Sequence, residues 1–454
     1  MHSQSQNSQA QNSQSQPSQT QPSDRAGTTA APAVYRAAWI LPISQPVIQD
    51  GFLRVVDGVV IEVGRFDRGD QAAANCIDLG KVAVLPKMVN AHTHLEFSDC
   101  PVPIGEPGVP LSAWIGQVIA ARGVGTGEQR NAAIELGLQE CIQSGTAMIG
   151  DIATSPSAYP LMDPSNPVPA VVSFAEVLGL NPPRSEERFD AALEQFKTLQ
   201  PAGCPAPAIS PHAPYSTPWP LIKRCVQQAK QWACALAMHV CESPDERELL
   251  ETGTGPFAET LQAAGLWMPG LFPWSGSQVV VDLIKLLAQA PRALLVHGND
   301  LQPDEIDAIS GHGNLSVVYC PRTHHFFQHR KHPVAQLLGS GVNVALGTDS
   351  RASNPDLSLW KEVQFLFKHR QDLSPLAVLE MATLNGALAL GGGQQAVSEV
   401  GLGGHLSGGA GQIMERRSRL AELAMVPTSA VNLDQLWSDF AEFPLQDLAS
   451  VGCN

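Results

Sequence analysis

The chain has 454 residues, 44% of them hydrophobic, 16% charged and 6% aromatic, with a formal net charge of -15. That length and apolar content exclude a disordered protein and a disulfide miniprotein, and the acidic balance leaves no basic surface to neutralise phosphates or grip an anionic membrane face. Nine cysteines without a CxxC pair fit free thiols in a reducing compartment better than a disulfide framework or a cysteine-ligated zinc.

No run of about 18 apolar residues and no signal-peptide layout is visible, so a soluble cytoplasmic protein is expected. Residues 1–32 are a Ser/Gln tract with almost nothing to bury, which predicts a disordered tail. From 33 to 85 short β-prone pieces (YRAAWILP, GFLRVVDGVVIEVG) separated by Gly and Asp turns predict the first part of a small β-domain.

From Val82 one pattern recurs, a short apolar run stopping at a polar or ionisable residue and followed by a helix-like stretch. The runs are VAVLPKMVNAHTH, GTAMIGD, PAVVSFAE, APAISPH, ALAMHV, ALLVHGND, LSVVYCP and VNVALGTDS. Near-continuous apolar strands imply burial on both faces, and eight βα units close a barrel. The fold class read from this is α/β, a (β/α)8 TIM-type barrel over 86–390. A small β-sandwich is completed by 391–454, whose Gly-rich stretch leads into AELAMVP.

Such barrels work at the C-terminal ends of their strands. Those ends here carry His92, His94, Asp151, Glu176, His212, His239, Glu242, His297, Arg322 and Asp349. His92 and His94, one residue apart on a strand, project from the same face and can reach one cation. His239 adds a third imidazole, and Glu242 follows where the strand gives way to a loop. Asp349 ends the eighth run, the neighbour of the first in a closed barrel. Taken singly each has a plainer role, as a core histidine, a solvated acid or a helix cap. Together three imidazoles and a carboxylate make a site suited to zinc or ferrous iron.

The phrases VNAHTHLE, HVCES, VHG at His297 and GTDS, in this order, resemble the amidohydrolase superfamily. The resemblance runs from about Tyr35 to Pro427 and is to the mononuclear branch of nucleoside and nucleobase deaminases and triazine hydrolases. It implies one divalent metal ion, zinc first and iron second, held by His92, His94, His239 and Asp349. It also implies His297 against the attacking water and Glu242 as proton shuttle. Binuclear branches place a carboxylated lysine on the fourth strand, which here ends at His212.

Within the branch, SPHAPYSTP, ESPDERELLETGTGPF, VVYCPRTHHFF and GTDSRASNPDLSLW look most like aminodeoxyfutalosine deaminases, enzymes of a menaquinone pathway. The implied reaction is hydrolytic deamination of a 6-aminopurine nucleoside, with catalytic Glu242, His297 and Asp349. Asp349 would be the first base. The alternatives are S-adenosylhomocysteine, methylthioadenosine, guanine, cytosine or a triazine as substrate, and, from another class, a non-catalytic barrel scaffold. His212, Glu96, Trp114 and Arg322 are the substrate-binding candidates. Arg322 is assigned to a substrate carboxylate, because a guanidinium grips one with two parallel hydrogen bonds. His324, His325 and Arg351 receive no role. The partners expected are a small nucleoside, no nucleic acid, no membrane and, by base rate, a second copy of the chain. Lys87, where the superfamily often has glycine, and Arg351 after GTDS depart from the usual pattern.

Overall fold

The strands pair into two sheets, one of mixed direction and one wholly parallel. The computed structural model describes residues 32–67, 75–122, 126–159, 169–200, 205–266, 276, 278–391 and 419–448. The Ser/Gln tract through residue 31 and the Gly-rich stretch after Gly391 lie outside them. Among the described residues no helix is long and apolar enough to cross a membrane.

The smaller sheet contains β1 (Ala33–Ile40), β2 (Ile48–Val56), β3 (Val59–Arg65), β4 (Cys76–Asp78) and β5 (Val82–Pro86), with β14 (Leu423–Pro427) and β15 (Gln446–Asp447) from the far end of the chain. Strand β14 runs antiparallel to β5, with Ala424 opposite Leu85 and Val426 opposite Ala83. Both chain ends therefore supply one sheet.

The barrel is built from β6 (Met88–Thr93), β7 (Thr146–Ala153), β8 (Ala170–Val177), β9 (Ala206–Pro211), β10 (Ala235–Val240), β11 (Arg292–His297), β12 (Leu315–Tyr319) and β13 (Asn343–Leu346), paired in chain order. Every pair in it is parallel, as βα crossovers require. Its seam is bridged at the top, where the Thr348 and Asp349 N–H groups donate to the His92 carbonyl, each at 3.1 Å. Val89, Met148, Phe174, Ala208, Ala237, Leu294, Val318 and Ala345 meet in one apolar cluster drawn from all eight strands, which only the inside of a closed cylinder allows. Alternate residues such as Leu236, Met238, Leu295 and Val317 pack outward against Ile222, Ile284 and Val363 of the surrounding helices.

The first predicted run is two strands rather than one. At Lys87 the chain changes sheets: the Lys87 N–H donates to the Glu422 carbonyl at 2.9 Å, and the Met88 N–H to that of Gly145 at 2.9 Å. Proline 86 has no N–H to continue a ladder. The Lys87 ammonium, largely buried, reaches Asp447 at 2.9 Å and so ties the barrel entrance to β15.

Candidate metal and catalytic centre

Alternation carries His239 into the barrel, since Ala235 and Ala237 on the same strand belong to the inner cluster. It would send His297 outward beside Leu295. Instead the chain leaves strand geometry at His297, with φ 72°, and its ring turns in to lie 5.6 Å from that of His92 and 5.3 Å from that of His239. Cys241 (φ 53°) and Asp349 (φ 56°) also take left-handed backbone conformations at strand exits. Each costs a non-glycine residue about 1–2 kcal/mol, so surrounding bonds must hold it there.

The structure brings His92, His94, His239, His297, Asp349 and Glu242 together. His94 Nε2 lies 3.3 Å from His239 Nε2, and Asp349 Oδ1 lies 3.6 Å from His92 Nε2 and 3.8 Å from His94 Nε2. Ligand atoms bound at 2.0–2.1 Å around a tetrahedral zinc are about 3.3 Å apart, the same scale. In each of the sets His92, His239, His297 and His92, His94, Asp349, one ligand atom per residue lies within 4.8 Å of the others.

Two further observations fit a cation. Both ring nitrogens of the fully buried His92 lack a hydrogen-bond partner, a costly state for an imidazole unless something else takes up its lone pair. The His239 Nδ1–H donates to the His212 carbonyl at 2.7 Å. Because a carbonyl only accepts, the neutral ring keeps its Nε2 lone pair free and aimed at His94.

Electrostatics point the same way. Burial pushes His92, His94 and His297 well below the usual imidazole range and His239 down to about 4, which keeps all four rings in the neutral, ligating form. Burial, reinforced by Asp349 and Glu246, pushes Glu242 well above the carboxylate range, which favours its neutral acid form. Glu242 Oε1 lies 3.4 Å from His297 Nε2. Asp349 is steadied by the Ser350 N–H at 2.7 Å and the Ser353 hydroxyl at 2.9 Å.

The remaining candidates are spread around the mouth. His212 bonds through Nδ1 to the Ser216 hydroxyl at 2.6 Å, with its ring 4.9 Å from that of His239. Glu96 is buried, accepts from Thr154 Oγ1 at 2.9 Å and faces Arg130 at 3.4 Å. Trp114 donates its ring N–H to the Ile104 carbonyl at 2.9 Å and packs edge-on against Phe327, in an apolar cluster that also holds Tyr215, Leu249 and Phe257. Asp151 and Glu176 are buried at the ends of their strands, and burial raises Asp151 to about 7.

Arg322 stands differently from its expected role. Its fork is closed on Glu362 at 2.6 Å and Asp356 at 2.9 Å, and its backbone N–H also donates to Glu362. Arg351 is likewise engaged, by both oxygens of Glu140 at 3.1 and 2.9 Å and by the Cys100 carbonyl at 2.9 Å. His324 bonds through Nε2 to the Arg330 carbonyl at 2.8 Å, whereas His325 is exposed beside Phe365 and His369.

Several supports escape the sequence reading. Asn90 and Thr348 exchange two bonds across the seam, His332 donates to the His297 carbonyl at 2.8 Å, and Glu246 accepts from the Cys241 and Glu242 N–H groups. Only Glu246 carries a local signature, Ser243-x-x-Glu246, the pattern of a capped helix start. Nothing in sequence spacing marks the others.

Residues 83–396 match the amidohydrolase family. The chain is 30% identical over 332 residues to an aminodeoxyfutalosine deaminase of Deinococcus radiodurans, covering 68% of this chain and 73% of that protein. It is 29% identical over 359 residues to a 5-methylthioadenosine/S-adenosylhomocysteine deaminase of Nitratidesulfovibrio vulgaris, covering 76% of each. The fold is similar to that of Helicobacter pylori aminofutalosine deaminase in complex with methylthio-coformycin, with a TM-score of 0.74 at 23% identity, over 91% of this chain and 97% of that one. It is also similar to a zinc-bound adenosine deaminase of Xanthomonas campestris, with a TM-score of 0.64 at 22% identity, over 91% and 89%. A family match over more than two thirds of the chain, on a barrel whose mouth gathers these histidines and carboxylates, makes this protein a member of the amidohydrolase family.

Proposed function

We propose that this chain is a metal-dependent aminohydrolase that converts the 6-amino group of an adenine-type nucleoside into a 6-oxo group with release of ammonia. The observation that carries it is the meeting of His92, His94, His239 and Asp349 beside the buried Glu242, whose carboxyl faces His297. The relatives named for aminodeoxyfutalosine and methylthioadenosine/S-adenosylhomocysteine deamination favour that substrate class, with aminodeoxyfutalosine first. Zinc suits the nitrogen and oxygen donor set, and ferrous iron is the second choice. The chemistry belongs to 86–390, with 33–85 supplying the N-terminal part of the small β-domain beside it and 391–454 its C-terminal part and a tail. A cytoplasmic enzyme acting as a homodimer completes the reading.

A divalent cation in such a site supplies acidification of water, to a pKa near 7. His92, His94, His239 and Asp349 would hold it, their rings already neutral. His297 fixes the approach of the attacking water by a hydrogen bond, and Asp349 accepts its proton. Glu242 begins neutral and donates to the purine ring nitrogen beside the attacked carbon, because an aromatic ring resists addition until that nitrogen is protonated. The carboxylate so formed takes the proton of the new C6 hydroxyl and delivers it to the amino group, which departs as ammonia as the 6-oxo group forms. Transfer of the proton held by Asp349 to Glu242 then restores both groups. His212, Glu96 and Trp114 contact the nucleoside at the rim. The apolar cluster of Trp114, Tyr215, Phe257 and Phe327 shields that rim from water.

Ammonia release from a panel of aminodeoxyfutalosine, methylthioadenosine, S-adenosylhomocysteine, adenosine, guanine and cytosine, with metal content measured on the same sample, tests the proposal. One metal equivalent and turnover confined to 6-aminopurine nucleosides are expected. Turnover of guanine or cytosine alone, or none with metal bound, would overturn it.

A further inference from the structure

The exit of β10 is fastened at more points than a strand end needs. Glu246 is fully buried and places Oε1 2.8 Å from the Cys241 N–H and Oε2 3.0 Å from the Glu242 N–H. From the next loop, the Asn299 side-chain amide donates to the Glu242 carbonyl at 3.0 Å. The peptide units on both sides of the Glu242 Cα are thus held by side chains. That fixes the direction of its Cα–Cβ bond, the root from which the side chain reaches His297, 3.4 Å from its carboxyl.

The holders are themselves held. The Glu246 N–H donates to the Ser243 hydroxyl at 3.3 Å. Its neighbour Arg247 spreads over Asp300 at 2.6 Å and both oxygens of Glu305 at 2.7 and 2.9 Å. Helix Pro244–Thr252 is thereby clamped to the loop that carries Asn299. A helix cap needs one acceptor on one N–H and is met by an exposed Ser or Asp. A fully buried carboxylate is a costly way to provide it. A fork across two consecutive N–H groups, one of them on a residue in the left-handed region, does something a cap does not: it sets the angle between successive peptide planes.

We propose that Glu246 is a positioning residue for proton transfer, fixing with Asn299 the backbone of Glu242 so that its carboxyl faces His297. The inference rests on Glu242 being the shuttle. Glu246→Gln keeps the size of the side chain but turns one acceptor into a donor facing an N–H. Asn299→Ala removes the carbonyl tether without touching the helix.

The test uses the metal-loaded full chain and whichever of aminodeoxyfutalosine and methylthioadenosine it turns over faster. A small misplacement of a reacting group costs on the order of 100-fold. Glu246→Gln is therefore expected to lower kcat about 10- to 100-fold, with KM within about threefold and metal content unchanged. Asn299→Ala is expected to lower kcat with the same selectivity. In a Glu242→Gln background neither change lowers kcat further, because a group acting only through Glu242 has nothing left to position. A KM that rises as much as kcat falls, a loss that multiplies that of Glu242→Gln, or normal kcat in both variants would overturn the proposal. If Glu242→Gln alone turns over normally, the failure lies in the shuttle assignment; if it is inactive and the Glu246 and Asn299 variants are not slowed, the failure lies in the positioning role.

Discussion

Replacing Arg322 by alanine separates a strut from a substrate grip. In the structure its guanidinium satisfies Glu362, which is fully buried, and Asp356, which is largely so. Removing it leaves Glu362 with the Asn354 amide at 2.7 Å and the backbone N–H of residue 322. Breaking a buried pair from one side costs about 3–5 kcal/mol, since the remaining charge has lost its partner. Asn354 also donates to the Thr348 carbonyl at 2.7 Å, next to Asp349, so the damage should extend to the carboxylate proposed to hold the metal.

Urea unfolding of metal-loaded protein should show the unfolding free energy of Arg322→Ala lowered by that amount, with a correspondingly lower midpoint. The double variant Arg322→Met/Glu362→Leu should recover much of it, because an apolar pair of similar volume removes the unpaired charge as well. Ammonia release should fall by the same factor on carboxylated and uncharged nucleosides. An unchanged urea midpoint with a loss confined to carboxylated substrates would refute the strut and restore the grip on a substrate carboxylate.

Glu242→Gln should retain metal and fold while losing about 10²- to 10⁴-fold in kcat, as removal of a general acid-base group does; single-turnover ammonia release checks it. Chelation should lower the thermal midpoint and abolish turnover, with readdition of zinc restoring both, whereas His92→Ala should not respond to zinc. Burial works against ionisation of Asp356, but the hydrogen bonds and charge of Arg322, with Lys361, win and hold it down to about 2. An unfolded aspartate titrates near 3.9, so the unfolded chain binds this proton first. The resulting stabilisation, about 2–3 kcal/mol, is complete above pH ~4 and is lost as the pH falls through about 2. Acid unfolding of Asp356→Asn should be shallower over that interval, and an unchanged acid limb would sink the assignment.

Much of the architecture could be read along the chain because it is written in local periodicity. Eight apolar runs ending in ionisable residues are a barrel whose strands are buried on both faces, and an HxH step on a strand places two rings on one face wherever the strand lies. The metal candidates were legible for that reason. His297 was legible as a strand-end residue, but the turn that brings its ring inward depends on its backbone conformation, which no spacing encodes. The break of the first run at Lys87 was hidden too: both halves are β-prone and buried, and only their partners, β14 on one side and β7 on the other, assign them to different sheets.

The fate of each arginine lay entirely in the tertiary structure. Sequence shows a cation after the seventh strand, but whether it meets a substrate depends on which carboxylates arrive from elsewhere. Glu362 comes from a helix 40 residues further along and occupies the fork of Arg322 first. The same holds for Glu246, Asn299 and His332, whose work consists of bonds to the backbone of other residues. A side chain's chemical capacity is a property of its type, while its partner is decided by packing between distant segments, and only the folded chain settles that.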